Sequence, residues 1–262
     1  MILTRPVRFT ASMAAHRRLF EVLGAQCLSD HGDWVVYGFD HGRIALHTAD
    51  ETYPVGLTTL GFETNDLDAC AAAAASATPP GVSIAVEDAP HGRAVVVRSP
   101  DGMTLTVDPL TPQPTRSDAP VVASQPAPVN APLSVAPLWF TAQASTATRT
   151  LAALGARPRI ESDGGGWTDL RTDCGLVAVH ASGSADTAPE GPSAPAAWAS
   201  LGFEFAGDLD DLIEPLHQAA IEATIIDESY GRSLRLPDPD LPAGQIWINE
   251  AQRDLYGYRR LD

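Results

Sequence analysis

Residues 34–47 read WVVYGFDHGRIALH, and residues 167–180 read WTDLRTDCGLVAVH. At a constant offset of 133, Trp34, Asp40, Gly42, Ala45 and His47 return as Trp167, Asp173, Gly175, Ala178 and His180. Identities held in one register mark a duplication, and a duplicated unit constrains a fold more than local propensity does. Working outward, RPVRFTA (5–11) faces APLWFTA (136–142), and LGA (23–25) faces LGA (154–156). LGFE (60–63) recurs at 201–204, DLD (66–68) at 208–210, and HGR (91–93) faces YGR (230–232). The offsets drift as surface insertions would make them. One insertion is visible as SGSADTAPEGPSAPA before Ala197, a Gly-, Pro- and Ser-rich segment read as a long loop.

The periodicity gives each half the order strand, helix, three strands, twice over. In the first half VRFTA is a strand and MAAHRRLFEVLG a helix closed by Gly24. WVVYGF and RIALH alternate as a strand pair around Asp40–Gly42. LTTLGFET is a strand, DLDACAAAAASA a helix capped by Asn65 or Asp66, and three strands close the unit. Pro109 to Pro137 is rich in Pro, Ala and Ser without periodicity and reads as a semi-extended linker. The expected organisation is residues 1–109, a linker at 110–133, and residues 134–262.

At 262 residues the chain suits two cores of ordinary size. The formal charge is −16, and all 17 basic residues are Arg. An acidic surface repels phosphate backbones and anionic headgroups, so neither nucleic acid nor membrane is expected as a partner. No apolar run reaches a membrane span, and Arg5 and Arg8 interrupt any signal-peptide core, so a cytoplasmic location is expected. Cys27, Cys70 and Cys174 lack CxxC spacing and read as reduced structural thiols.

Two βαβββ modules per half, with the strand–helix ending in LG, the mid-unit LGFE..DLD and the HGR....SPDG hairpin, resemble the vicinal-oxygen-chelate (glyoxalase, bleomycin-resistance and dioxygenase) superfamily. The resemblance implies an α+β fold: a tandem pair of domains, each a curved mixed sheet forming a cup for a small ligand and, in the enzymes, a divalent metal. It implies ligand positions on first and last strands, falling near Thr4, Ala45, Thr59 and Thr106, and near Val135, Ala178, Ser200 and Ile248. None is a strong metal ligand, so no metal and no cofactor is expected.

His47 and His180 are placed on a cup-facing strand, as ligand-binding groups or as acid–base catalysts titrating near neutrality. Arg8 and Trp139 are placed on the cup face of the opening strands, as a carboxylate anchor and a stacking platform. Thr59, Thr106, Ser200 and Trp247 complete the expected lining, whereas Trp34 and Trp167 read as core packing. Asp66, Asp68, Asp208, Asp210 and Asp211 read as helix capping, and His91 and Tyr230 as turn residues. The leading expectation is metal-independent binding of a small cationic or aromatic molecule, as in bleomycin-resistance-type sequestration. The alternative is a diverged lyase, isomerase or dioxygenase using His47 or His180. A third reading makes one unit a packing partner for the other, and association into a homodimer is left open.

Overall fold

The computed structural model describes residues 1–89, 92–111, 132–182, 196–228 and 230–261. The first half opens with β1 (Ile2–Thr4) and β2 (Val7–Thr10), one strand kinked at Arg5 and Pro6, followed by α1 (Met13–Val22), β3 (Gln26–Asp30), β4 (Trp34–Gly38) and β5 (Arg43–Thr48). β6 (Thr58–Thr64), α2 (Leu67–Ala77), β7 (Ser83–Ala89), β8 (Gly92–Arg98) and β9 (Thr104–Pro109) repeat the order. The second half runs β10 (Leu133–Val135), β11 (Leu138–Thr141), α3 (Ala144–Ala153), β12 (Arg157–Ser162), β13 (Trp167–Arg171) and β14 (Leu176–Ala181). It continues with β15 (Ala197–Ser200), β16 (Gly202–Phe205), α4 (Asp210–Gln218), β17 (Thr224–Glu228), β18 (Gly231–Pro237), β19 (Gln245–Glu250) and β20 (Tyr258–Arg260).

The expected module order therefore holds, and Asp66 is the cap of α2, its Oδ1 accepting from the Ala69 N–H. Two differences stand out. Leu133–Val135 lies inside the stretch read as linker yet forms β10, because its N–H and C=O groups find partners on β16. Gln26–Asp30 shows no alternation and becomes β3 by pairing with β4 across a bulge. Most of the linker and of the 182–196 insertion, and His91, lie outside the described residues.

In the first half the strands join as one sheet, β3-β4-β5-β2-β6-β9-β8-β7, with β1 beside β6. In the second half the same path divides into β15-β11-β14-β13-β12-β20 and β10-β16-β19-β18-β17. Each sheet surface has a concave face and a face covered by helices. Helix α1 turns His16, Leu19, Phe20 and Leu23 to one stripe, the spacing of a half-buried helix. That stripe packs across the duplication: Leu19, Phe20, Val35 and Leu46 share a core with Phe203, Phe205, Leu212, Leu216 and Ile248. The second shared core joins Phe62, Val95 and Leu105 to Trp139, Leu151 and Val179. Burying each such side chain contributes roughly 1.5–3 kcal/mol, so neither half keeps its hydrophobic stabilisation without the other.

The duplicated Asp-x-Gly turns explain themselves in this arrangement. Asp40 Oδ2 accepts the Leu133 N–H at 3.0 Å, and Asp173 Oδ2 accepts the Ile2 N–H at 2.8 Å, so each turn caps the opening strand of the opposite half. Gly42 and Gly175 both have positive φ, 95° and 100°, and a Cβ on Gly175 would stand 3.2 Å from the Gly42 Cα. Only glycine satisfies the left-handed backbone and the close approach together.

The closing hairpins form a second clasp. Asp101 accepts from Trp139 Nε1 at 3.1 Å and Thr141 Oγ1 at 2.6 Å. At the equivalent place Asp238 is held by Arg8 Nη2 at 2.5 and 2.6 Å, and Asp240 accepts from Thr10 Oγ1 at 2.9 Å. Arg8 and Trp139 are therefore on the helix side of their strands, not in the cups. The same correction applies to Thr4, Val135 and Ile248, which face the helices. A strand alternates sides with period two, so choosing the wrong one of its two faces inverts every assignment on it.

Candidate functional site

With the parity set by the structure, Leu3, Arg5, Val7 and Phe9 face the first cup, and Ser134, Ala136, Leu138 and Phe140 face the second. The cups share an aromatic wall. In the first, Phe9 stacks on Tyr53 with centroids 4.4 Å apart, and His47 lies against Phe9 at 5.4 Å and Trp34 at 5.6 Å. In the second, Phe140 stacks on Trp198 at 4.9 Å, and His180 lies against Phe140 at 5.5 Å and Trp167 at 6.1 Å. His47 and His180 are thus where the sequence put them. Trp34 and Trp167, read as core residues, belong to the cups, because they pair across strands with His47 and His180. Phe9 and Phe140 were missed as wall residues, although the shared FTA tripeptide marked them as equivalent.

The floors differ. In the first cup Arg5, 2% exposed, pairs with Glu63 at 3.0 Å and with Asp108, and Arg43 reaches the other Glu63 oxygen at 2.6 Å. The Arg5 guanidinium also lies over Trp34, 5.3 Å from the ring centre. Val7, Val36, Ala45 and Leu57 fill the space around it. Thr59 and Thr106 are on this cup face, half-buried.

The residue equivalent to Arg5 in the second cup is Ala136, and there a cavity of about 50 Å³ opens, lined by Ala136, Leu138, Trp167, Ser200, Trp247 and Asn249 among others. Asp169 and Glu204 also border it, but Arg159 binds both, with Nε 2.9 Å from Asp169 Oδ2 and Nη1 2.9 Å from Glu204 Oε1. Burial opposes the Arg159 charge, and the hydrogen bond to Glu204 with the field of Asp169 outweighs it, so its pKa is raised overall. Ser200 and Trp247 take the places of Thr59 and Thr106, as the parallel pairing Gly61–Thr106 and Gly202–Trp247 shows. Arg235, 8% exposed, stands over Trp247 with 3.8 Å between guanidinium carbon and ring centre, and its Nη2 donates to Glu228 at 2.6 Å. The first cup has Val96 and Thr106 at this pair of positions.

A wider hollow of about 250 Å³ lies outside the cups, beside Met1, Cys70, Leu154 and Asp173. Its polar groups are spent locally, Asp173 on the Ile2 N–H and Asp66 on the cap of α2, so it offers no convergent chemistry.

The fold resemblance implies a divalent metal in the enzymes, and the cups do not fit one. The facing positions hold Arg5, Thr59 and Thr106 in the first cup and Ala136, Ser200 and Trp247 in the second. The nearby carboxylates are bound to arginines, and three converging donors are wanting among the described residues of either cup. The single three-donor cluster among the described residues, His16 with Asp238 and Asp240, belongs to the hairpin clasp. There Arg8 already supplies the counter-charge, and a dication would have to displace it. Burial, then the Arg8 charge, lowers the His16 pKa.

These features define a tandem vicinal-oxygen-chelate fold with two unequal cups. No protein-family model matches the chain, and no curated protein does. Solved structures do. A catechol 2,3-dioxygenase superposes with TM-score 0.60 at 18% identity, covering 96% of this chain and 87% of its own. Homoprotocatechuate 2,3-dioxygenase from Brevibacterium fuscum, in complex with 3,4-dihydroxyphenylacetate, gives TM-score 0.61 at 15% identity over 97% and 81%. The 2,2',3-trihydroxybiphenyl 1,2-dioxygenase of Sphingomonas wittichii strain RW1 gives 0.56 at 16% over 96% and 90%. At such identities the likeness is one of fold. Among the described residues no helix is long and apolar enough to cross a membrane.

Proposed function

We propose that the second cup is the functional one and binds a small planar aromatic molecule. The observation that carries this is the exchange of Arg5 for Ala136: a buried ion-pair network fills the first cup, and a cavity lined by Trp167 and Trp247 stands at the matching place in the second. Flat rings pack well against indoles such as Trp167 and Trp247. A space of about 50 Å³ holds one or two waters at about 30 Å³ each, so the ligand enters as the Trp247 and Arg235 side chains give way.

Of the two readings of the sequence, sequestration and turnover, the neighbours' names favour turnover, since all three are dioxygenases. The donor set supplies no step through a metal. The group left for chemistry is His180, whose Nδ1 is buried without a hydrogen-bond partner, whereas Nδ1 of His47 is engaged with the Thr48 carbonyl at 2.6 Å. An imidazole so placed is able to accept or deliver a proton at a bound ring substituent.

Tryptophan-fluorescence titration with soluble mono- and bicyclic aromatics tests the reading. Saturable quenching is expected, lost in Ala136→Leu and unchanged after dialysis against a chelator. Quenching that survives Ala136→Leu or needs added metal would contradict it. His180→Gln is expected to retain binding and lose any turnover the parent shows.

A further inference from the structure

Beside His180 Nδ1, the polar atoms left without a hydrogen bond around the second cup include three donors. Trp167 Nε1, which lines the cavity, is buried with no acceptor among the described residues. Nε and Nη1 of Arg235, the guanidinium stacked on the cavity residue Trp247, are buried and make no hydrogen bond there either. Indole and guanidinium nitrogens only donate. Of the acceptors at the same cavity, Asp169 Oδ2 and Glu204 are held by Arg159, and the Asn249 oxygen accepts from the Ser233 hydroxyl at 2.7 Å. Glu228 accepts from Arg235 Nη2, and the Tyr230 hydroxyl, its pKa raised by burial and then by Glu228, also interacts with the guanidinium.

Buried donors without acceptors each cost about 1–3 kcal/mol, and native proteins keep few of them. Arg5 of the first cup also has guanidinium nitrogens without a hydrogen bond, but Glu63 and Asp108 face it there; in the second cup Arg235 and Trp247 replace the Val96–Thr106 pair. We infer that the second cup recognises aromatic molecules bearing an anionic oxygen function, a carboxylate or a phenolate. The ring lies against Leu138 and Trp247, and the oxygens accept from Arg235 and Trp167. An amine offers donors to donors and is rejected, although the chain as a whole is acidic; the charge of the whole surface governs approach, and the paired groups at the site govern choice. This inference rests on the aromatic-cup reading and adds the polar end of the ligand.

Isothermal titration of the full chain with benzoate, benzyl alcohol and benzylamine tests it, together with the variants Arg235→Met and Trp167→Phe. Arg235→Met keeps an apolar stem over Trp247 while removing the donors, and thermal melting verifies that each variant folds. Benzoate is expected to bind best and benzylamine worst. Arg235→Met is expected to weaken benzoate by about ten- to a hundred-fold, the worth of a hydrogen bond to a charged group, and to leave benzyl alcohol within about three-fold. Equal binding of benzoate and benzyl alcohol, insensitive to Arg235→Met, overturns the anion inference and leaves the aromatic cup standing. Preference for benzylamine overturns the inference, and failure of all three compounds to bind overturns the aromatic cup itself.

Discussion

The two cups began as copies and now spend their charges differently. In the first, Arg5 projects from the kinked opening strand into the sheet and is buried against Glu63 and Asp108. In the second, the matching residue is Ala136, Glu204 is held instead by Arg159 from β12, and a further guanidinium, Arg235, stands on the wall. One glutamate per cup is common to both, since Glu63 and Glu204 occupy the same place in LGFE. What differs is where its counter-charge comes from. A counter-charge entering through the middle of the cup fills it, and one entering from the side leaves room. The duplication therefore yields one cup that holds the molecule together and one able to hold something else.

Removing the central guanidinium breaks this comparison most severely. Arg5→Met strands buried carboxylates and is expected to cost about 3–5 kcal/mol, against about 1–3 kcal/mol for Arg159→Met, whose side chain is 17% exposed and partly screened. Urea midpoints of the two variants measure the difference, and equal losses would show that the first network is no more buried in effect than the second. Asp101→Ala orphans the Trp139 and Thr141 donors beneath the second cup and is expected to cost about 1–3 kcal/mol for each buried donor, read in the same assay.

Ala136→Leu fills space instead of emptying it. It is expected to cost no more than about 1–3 kcal/mol of stability, read by thermal melting, while ligand binding disappears. The smallest effect concerns pH. Burial and Arg8 lower the His16 pKa below 6.5, so the fold favours the neutral ring. The contribution is whole above about pH 6.5 and declines as pH falls toward the folded-state value. The stability difference between the protein and His16→Gln should therefore shrink or reverse between about pH 7.5 and 5.5, and a constant difference would place His16 outside the linkage.

The sequence disclosed the duplication, the module order and the cup-facing histidines, because identical residues in register and period-two alternation are local signals. It did not disclose the parity of the opening strands. Thr4, Arg8, Val135 and Trp139 share one face and their neighbours the other throughout, and alternation by itself does not say which of the two faces the helices cover. Nor did it disclose that the helices pack across the duplication, since Phe20 meeting Phe203 and Trp139 meeting Asp101 are contacts between distant segments with no shared pattern. The contrast between Arg5 and Ala136 was present in the aligned heptapeptides, but its meaning depends on knowing which face each residue takes.

The central claim is that the second cup is open to an aromatic ligand and the first is closed by Arg5. The chain has five tryptophans, Trp34 in the first cup, Trp139 beneath the second sheet, and Trp167, Trp198 and Trp247 around the second cup. Nitrogen-15 NMR of the indole N–H groups during titration with benzoate reads each one separately. The account predicts saturable shifts for Trp167, Trp198 and Trp247 with Trp34 unmoved; a titrating Trp34 signal beside unmoved second-cup signals would contradict it.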